Sequence, residues 1–483
     1  MFVAQMLEGT TAIFAGLTFV FILLSTFAFN AAGGFLRPSG YFIFFNAMLT
    51  CIVGLTYKVF LGEPGQSYLL APNVSMAAYC LGMFTMALVA ALVSKLVPDR
   101  GLLTGMAVTD TMKKGAIGCL LLGVTISSFT YISLENGVLS AIRQINYFVQ
   151  MAIILGTFYE VKKTGGRRSS NWVVWTAGIF IFVEGGFLGF SKQGFLTSGA
   201  SWLAAAIAAG HNFGRKQILG MFAAAILFQM YLVPYSQVGR NLREAEPTMA
   251  SDAKLALLLV PHLSQIRQQY LQDQSQQVSE TSIRLYEKPQ GFMDRMNMLA
   301  PDDALIAYTD QGNVEGLEPM YFSFLNIIPH FIWKDKPFYY VGNVYAREIG
   351  MIAEDNESTG VSFSPVGDAY HEATWFGVLL LTPTVVFILF FVMSSLSGDI
   401  RESPWGLLFC VLVAHSAPEG ALGGQIYIAT YGALGIVIVA LLTKYVLPVV
   451  TGVIINTDRT RVLKTASFKP NLPPNSLSRP RQP

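Results

Sequence analysis

Apolar residues in this chain gather in long blocks and do not alternate with polar ones. A membrane-crossing helix needs about 20 mostly apolar residues. Eleven segments fit, at roughly 10–29, 41–61, 75–96, 115–133, 138–159, 172–190, 196–210, 217–234, 374–394, 404–418 and 426–447. The segments at 196–210 and 404–418 are short. Alternating stretches of about 10 residues, the mark of a membrane β-barrel, are absent, so the pattern predicts an all-α polytopic membrane protein.

The blocks divide the chain into four parts. Membrane helices 1–8 occupy 1–234, a 139-residue loop occupies 235–373, and helices 9–11 occupy 374–447. The basic, Pro-rich tail over 448–483 reads as disordered. Helix-like stretches inside the loop, Ala253–Leu271 and Glu280–Leu299, predict order there, whereas the Gln- and Ser-rich run 264–282 reads as mobile.

Charge adds orientation, because Lys and Arg in short loops mark the cytoplasmic side. Lys95, Arg100, Lys113 and Lys114 surround one short loop, and Lys162, Lys163, Arg167 and Arg168 another. Arg37, Arg215, Lys216, Arg401 and six basic residues of the tail mark the others. With eleven spans these all fall on one side, which predicts the carboxyl terminus inside and the amino terminus outside. No basic amino-terminal region precedes the first segment, so it reads as a retained helix and not a cleaved signal. The long loop then lies outside. It holds 10 basic and 19 acidic residues, a net of −9, whereas the remainder carries +11.

Composition narrows the class. Hydrophobic residues make up 53% and charged residues 13%, about half the usual charged share of a soluble protein. This excludes a soluble globular enzyme, a disordered chain and a disulfide scaffold. Cys51, Cys80, Cys119 and Cys410 all lie in apolar segments, so no disulfide framework exists in the loop. No spacing suggests a structural zinc, a phosphate-binding loop or a dinucleotide fingerprint. Neither a cofactor, a metal nor a nucleic-acid partner is expected.

Ionisable residues in or beside spans are functional candidates. Arg143 sits near the outer end of the fifth span, Lys192 in the turn Ser191-Lys192-Gln193-Gly194, and Arg240 just after the eighth span. Arg143 has a bland reading as a snorkelling side chain, Lys192 as a partner for Glu184, and Arg240 as a juxtamembrane anchor. Together the three cations suit lipid-linked phosphates at the outer surface.

The strongest local signal is Ser364-Pro365-Val366-Gly367-Asp368-Ala369-Tyr370-His371-Glu372. Ser364 and Pro365 make a good N-cap and first helical position. Asp368, His371 and Glu372 then share one helix face, with the span beginning near Thr374. The dipole of the helix explains Asp368 but not His371. A histidine beside two carboxylates is suited to general base work. His415 and Glu419 flank a further outer turn, with no spacing that argues for a metal.

Four stretches resemble the bacterial oligosaccharide repeat-unit polymerases, the Wzy-type or O-antigen polymerase family. Gly291-Phe292-Met293-Asp294-Arg295-Met296 is similar to that family's Arg-bearing loop helix. Ile328 to Pro337 is similar to its "Pro-Arg-x-x-Trp-x-x-Lys-Pro" run, with His330 in place of Arg and with Lys336 before the final proline. Gly367-Asp368-Ala369-Tyr370 followed by Trp375-Phe376-Gly377 is similar to "Gly-Glu-x-Tyr…Phe-Gly", and Ser191 to Gly194 to the outer "Ser-Arg/Lys-x-Gly" turn. They cover about a tenth of the chain.

The resemblance implies a GT-C-like glycosyltransferase in the bacterial inner membrane, facing the periplasm. The donor would be a glycan on polyprenyl pyrophosphate and the acceptor a lipid-linked repeat unit. Besides the lipid bilayer, a chain-length regulator and a flippase would be its partners. The site would combine His371, Asp368 and Glu372 as acid–base groups with Arg143, Lys192, Arg240, Arg295 and Lys336 on the pyrophosphate-linked glycan. Tyr339, Tyr340, Tyr370 and Trp333 are candidates for sugar stacking or for loop core. An O-antigen ligase, a secondary transporter and, less favoured, a polyprenyl-monophosphate mannosyltransferase remain as alternatives.

Overall fold

The computed structural model describes residues 1–106, 109–132, 142–243, 248–276, 283–329, 332–333, 335–337, 339–357 and 359–453. Secondary structure among them is helical apart from one isolated parallel bridge, Phe363 to Gly420. Seven helices are long and apolar enough to cross a membrane: Ala12–Ala31, Pro38–Leu61, Pro72–Leu96, Thr111–Phe129, Arg215–Leu242, Pro365–Ser397 and Ala421–Val453. The segments predicted at 172–190 and 404–418 are shorter apolar helices, Trp172–Leu188 and Gly406–Glu419. The segment predicted at 196–210 lies on Lys192–Ala208, and that at 138–159 on Phe148–Thr164, with residues 138–141 outside the described residues. This is the make-up of a polytopic membrane protein. Leu219, Phe222, Ile226 and Leu227 lie open on Arg215–Leu242, an apolar face suited to lipid and anomalous in water.

Tight inter-helix packing fills the interior. Ala12–Ala31 lies against Pro72–Leu96, and Pro38–Leu61 against Gly406–Glu419. Phe42 and Phe390 meet edge to face at 5.3 Å, a favoured aromatic geometry. The carboxyl-terminal turn of Gly406–Glu419 leaves the Ala417 carbonyl without a helical donor, and Asn46 Nδ2 donates to it at 2.8 Å.

Loop contacts sort the connections onto two ends of the bundle. At one end Leu102 N–H donates to Ser395 O, Leu103 N–H to Leu396 O and Ile400 N–H to Leu36 O. Arg37 pairs with Asp99 there. The connections carrying Arg37, Arg100 and Arg401 therefore share a face. At the other end the long loop settles on the bundle. Residues 48–52 form one π-helical turn, and the Leu49 carbonyl accepts from Met298 N–H at 3.1 Å. Gly54 lies beneath Leu285 and Asn297, where a Cβ would collide with both.

Inside the loop, Met249–Leu259 and Leu263–Gln276 are helices joined by a 3-10 turn at Pro261, close to the predicted Ala253–Leu271. The helix predicted over Glu280–Leu299 does not form in the described part. Pro289 lacks an N–H, Gly291 adopts φ +65°, and only the 3-10 turn Met293–Arg295 follows before Leu299–Asp310. Of the run 264–282, residues up to Gln276 are helical and 277–282 lie outside the described residues. Residues 454–483 of the tail do as well.

Candidate functional site

The helix Pro365–Phe376 begins as its sequence dictates. Ser364 Oγ accepts from Gly367 N–H at 3.1 Å, and Pro365 fills the first position. Asp302 then lies across Gly367, where a Cβ would run into its carboxyl group. Asp302 accepts from Ser364 N–H at 3.0 Å and from the Tyr79 hydroxyl at 2.6 Å. Burial pushes its carboxyl up to about 6 against those hydrogen bonds. Its neighbour Asp303 accepts from Leu70 N–H, from Ala71 N–H at 3.2 Å and from Ser75 Oγ at 2.6 Å. These two acids fasten the loop helix to the starts of two spans.

The three predicted acid–base residues are buried side by side. Asp368 accepts from the Tyr345 hydroxyl at 2.9 Å and from Leu422 N–H at 2.7 Å. His371, 1% exposed, has Nδ1 2.8 Å from Thr309 Oγ1 and Nε2 3.0 Å from Glu348 Oε2. The Tyr345 ring stands edge-on to its imidazole at 4.6 Å. Glu372 keeps Oε2 buried and without a hydrogen bond. Immediately beyond, the helix breaks at Ala373 and Thr374, with φ +53° at Thr374. Gly377 then passes so close to the Ala369 carbonyl that no side chain fits. The break coincides with the predicted start of the span, and the packing accounts for the Phe376-Gly377 pair.

His371 is thus covered, with Nδ1 on Thr309 and Nε2 facing the partly exposed Glu348. In this arrangement His371 and Asp368 tie the loop to the helix start. Tyr370 is likewise core, donating to Asp310 Oδ1 at 2.5 Å and standing edge-on to Trp375.

A cavity of about 540 Å³ opens under the loop, inside the range of about 300–1,000 Å³ for small-molecule sites. Its walls include Tyr339, Tyr340, Tyr427, Tyr431, Gln144 and Glu419. Tyr339 stacks on Phe322 at 5.3 Å and donates to Glu315. Glu419 pairs with His415 at 3.4 Å and accepts from Ser362 Oγ at 3.3 Å. Asp368 sits just behind the floor, through its bond to Leu422 N–H beside Ala421 of the cavity wall.

The predicted cations take different places. Lys336 lines the cavity, but its ammonium donates to Ile328 O at 2.9 Å and Asn326 O at 3.4 Å, and burial lowers its pKa. It braces the loop more than it faces the void. Arg143 is exposed, next to Gln144 of the wall. Lys192 opens the helix Lys192–Ala208, whose cap Ser191 Oγ accepts from Gly194 N–H at 3.2 Å. Phe190 just before it packs on Gly239, so the turn with Lys192 and the helix end with Arg240 lie against one another. Arg240 is exposed and its Nε donates to Ser236 O at 3.3 Å. Arg295 ends the turn Met293–Arg295, and His330 lies outside the described residues.

Glu315 and Glu348, which sequence reasoning missed, meet His371 here. Ligand-capable atoms of these three all lie within 4.8 Å of one another. Their chain spacing carries no motif; only the loop's acidic excess hinted at them. Comparison of the chain with family models, with curated proteins and with solved structures finds no match to any of them.

Proposed function

We propose that this protein polymerises lipid-linked oligosaccharide repeat units, moving a glycan from polyprenyl pyrophosphate to a lipid-linked acceptor. The observation that carries the reading is the tyrosine-walled cavity under the long loop, with a carboxylate in its wall. It lies at the end of the bundle opposite the connections of Arg37, Arg100 and Arg401. Under the positive-inside rule that end faces outward, where a lipid-linked donor presents its sugars. The motif resemblance supports the same assignment.

In this reading an acceptor hydroxyl oxygen attacks the anomeric carbon of the donor sugar. The bond from that carbon to the pyrophosphate breaks, and the leaving group takes the electron pair. Glu419 receives the hydroxyl proton, with His415 steadying the carboxylate. Lys192 and Arg240, at the membrane boundary, stabilise the charge that develops on the pyrophosphate, together with Arg143. Tyr340 and Tyr427 line the cavity that would receive the sugars. The activated donor supplies the driving force.

The test replaces the chromosomal gene in the producing strain with single variants and reads chain length on gels. Glu419→Gln and Arg240→Ala should leave single repeat units in place of ladders, at wild-type protein abundance. Loss of a general base corresponds to about 10²–10⁴ in rate. Ladders of wild-type length from both variants refute the site. Glycans that reach a new acceptor unpolymerised point to a ligase instead.

A further inference from the structure

Three side chains from separate segments meet just before the break at Ala373 and Thr374. Glu315 precedes the helix Glu318–Leu325, Glu348 ends Val341–Glu348, and His371 lies on Pro365–Phe376. One oxygen from each glutamate and one imidazole nitrogen lie within 4.8 Å of one another. Glu315 is fixed by its own N–H, which donates to the His371 carbonyl at 3.1 Å.

The hydrogen bonding assigns the imidazole tautomer. The Thr309 hydroxyl has one hydrogen and gives it to the Leu305 carbonyl at 2.7 Å. Toward His371 it therefore accepts, so Nδ1 carries the hydrogen. In the neutral ring Nε2 then turns a lone pair to Glu348 Oε2, 3.0 Å away. Lone pairs so placed repel unless a cation stands with them. An imidazole that donates through one nitrogen and leaves the other bare is also the arrangement of a metal-ligating histidine.

A second, independent observation concerns Glu372. This side chain is 2% exposed, and its Oε2 has no hydrogen-bond partner. It lies close enough to Glu315 and Asp368 for their charges to act on it. Glu315 and Glu348 bring two carboxylates to the one imidazole. We propose that Glu315, Glu348 and His371, with the unpartnered Glu372 carboxylate next in sequence, bind a divalent transition-metal cation of the Mn²⁺ or Zn²⁺ kind. Carboxylate oxygens combined with one imidazole suit these ions. Glu348, 25% exposed in its side chain, gives access from the outer water.

Such an ion staples two loop segments to the helix that opens the ninth predicted span. Through Tyr339, which donates to Glu315 and lines the cavity, the staple also borders the cavity wall. The site is testable by binding alone, independently of glycosyl transfer.

The experiment uses full-length protein without a polyhistidine tag, stripped with EDTA and titrated separately with MnCl₂ and ZnCl₂. Wild type and a surface control, Glu357→Gln, should each take up one equivalent of at least one ion. Glu315→Gln and Glu348→Gln should bind about tenfold more weakly or worse. Where Mn²⁺ binds, pulsed electron paramagnetic resonance should detect an imidazole nitrogen coupling that His371→Gln abolishes. Less than one equivalent of either ion on wild type overturns the proposal, which makes the result independent of how the variants fold. Glutamate variants that bind as tightly as wild type overturn it as well.

Discussion

Single residues near the helix start carry measurable consequences. Asp302 is held above its ordinary value of 3.8, up to about 6, chiefly by burial. The folded state therefore keeps this proton more tightly than the unfolded chain does. Its contribution to stability is fully present below about pH 4 and is lost as the pH rises through about 6. The difference is worth on the order of 2–3 kcal/mol. Thermal unfolding in detergent should show the wild-type midpoint falling across that window, with Asp302→Asn falling much less; parallel curves would contradict the assignment. Gly377 offers a steric test. A methyl group there collides with the Ala369 carbonyl, so Gly377→Ala should cost about 1–3 kcal/mol or more of stability, visible as a lowered midpoint or lost accumulation.

At the scale of elements, the segment Val341–Glu348 is held to the ninth predicted span by the Tyr345 hydroxyl on Asp368. Tyr345→Phe leaves that buried carboxylate short of a donor, at a cost of about 1–3 kcal/mol. Hydrogen exchange should quicken over 341–361 in this variant and stay unchanged over Ala12–Ala31; unchanged exchange over 341–361 would remove the anchoring role. The same elements show what sequence could and could not reveal. Long spans were legible because lipid demands about 20 apolar residues in a row. The N-cap at Ser364 and the shared face of Asp368, His371 and Glu372 were legible because both depend on spacing within a few residues. Glu280–Leu299 misled because its composition looks helical while Pro289 and Gly291 turn the backbone. Asp302, Asp303, Glu315 and Glu348 stayed hidden because each finds its partners in a distant part of the chain. His371 illustrates the limit: its position on the helix was readable, and the Thr309 and Glu348 contacts that enclose it were not.

For the whole molecule, the contrast between the −9 loop and the +11 remainder becomes a statement about sides. Cys51, Cys80, Cys119 and Cys410 are all buried, so a membrane-impermeant maleimide has a low background. A cysteine replacing Glu357 should label from outside intact cells, and one replacing Arg167 only after permeabilisation; the reverse pattern inverts the orientation.

The clasp formed by Asp302 and Asp303 also joins early and late parts of the chain. Their partners Leu70, Ala71, Ser75 and Tyr79 leave the ribosome long before them, whereas Ser364 leaves after them. A nascent chain paused beyond residue 310 can already seat the loop helix on its first spans, but only one acid is then fully satisfied. A chain severed in the loop should therefore regain its fold when its two halves are made together, with the amino-terminal half acting as template for the other.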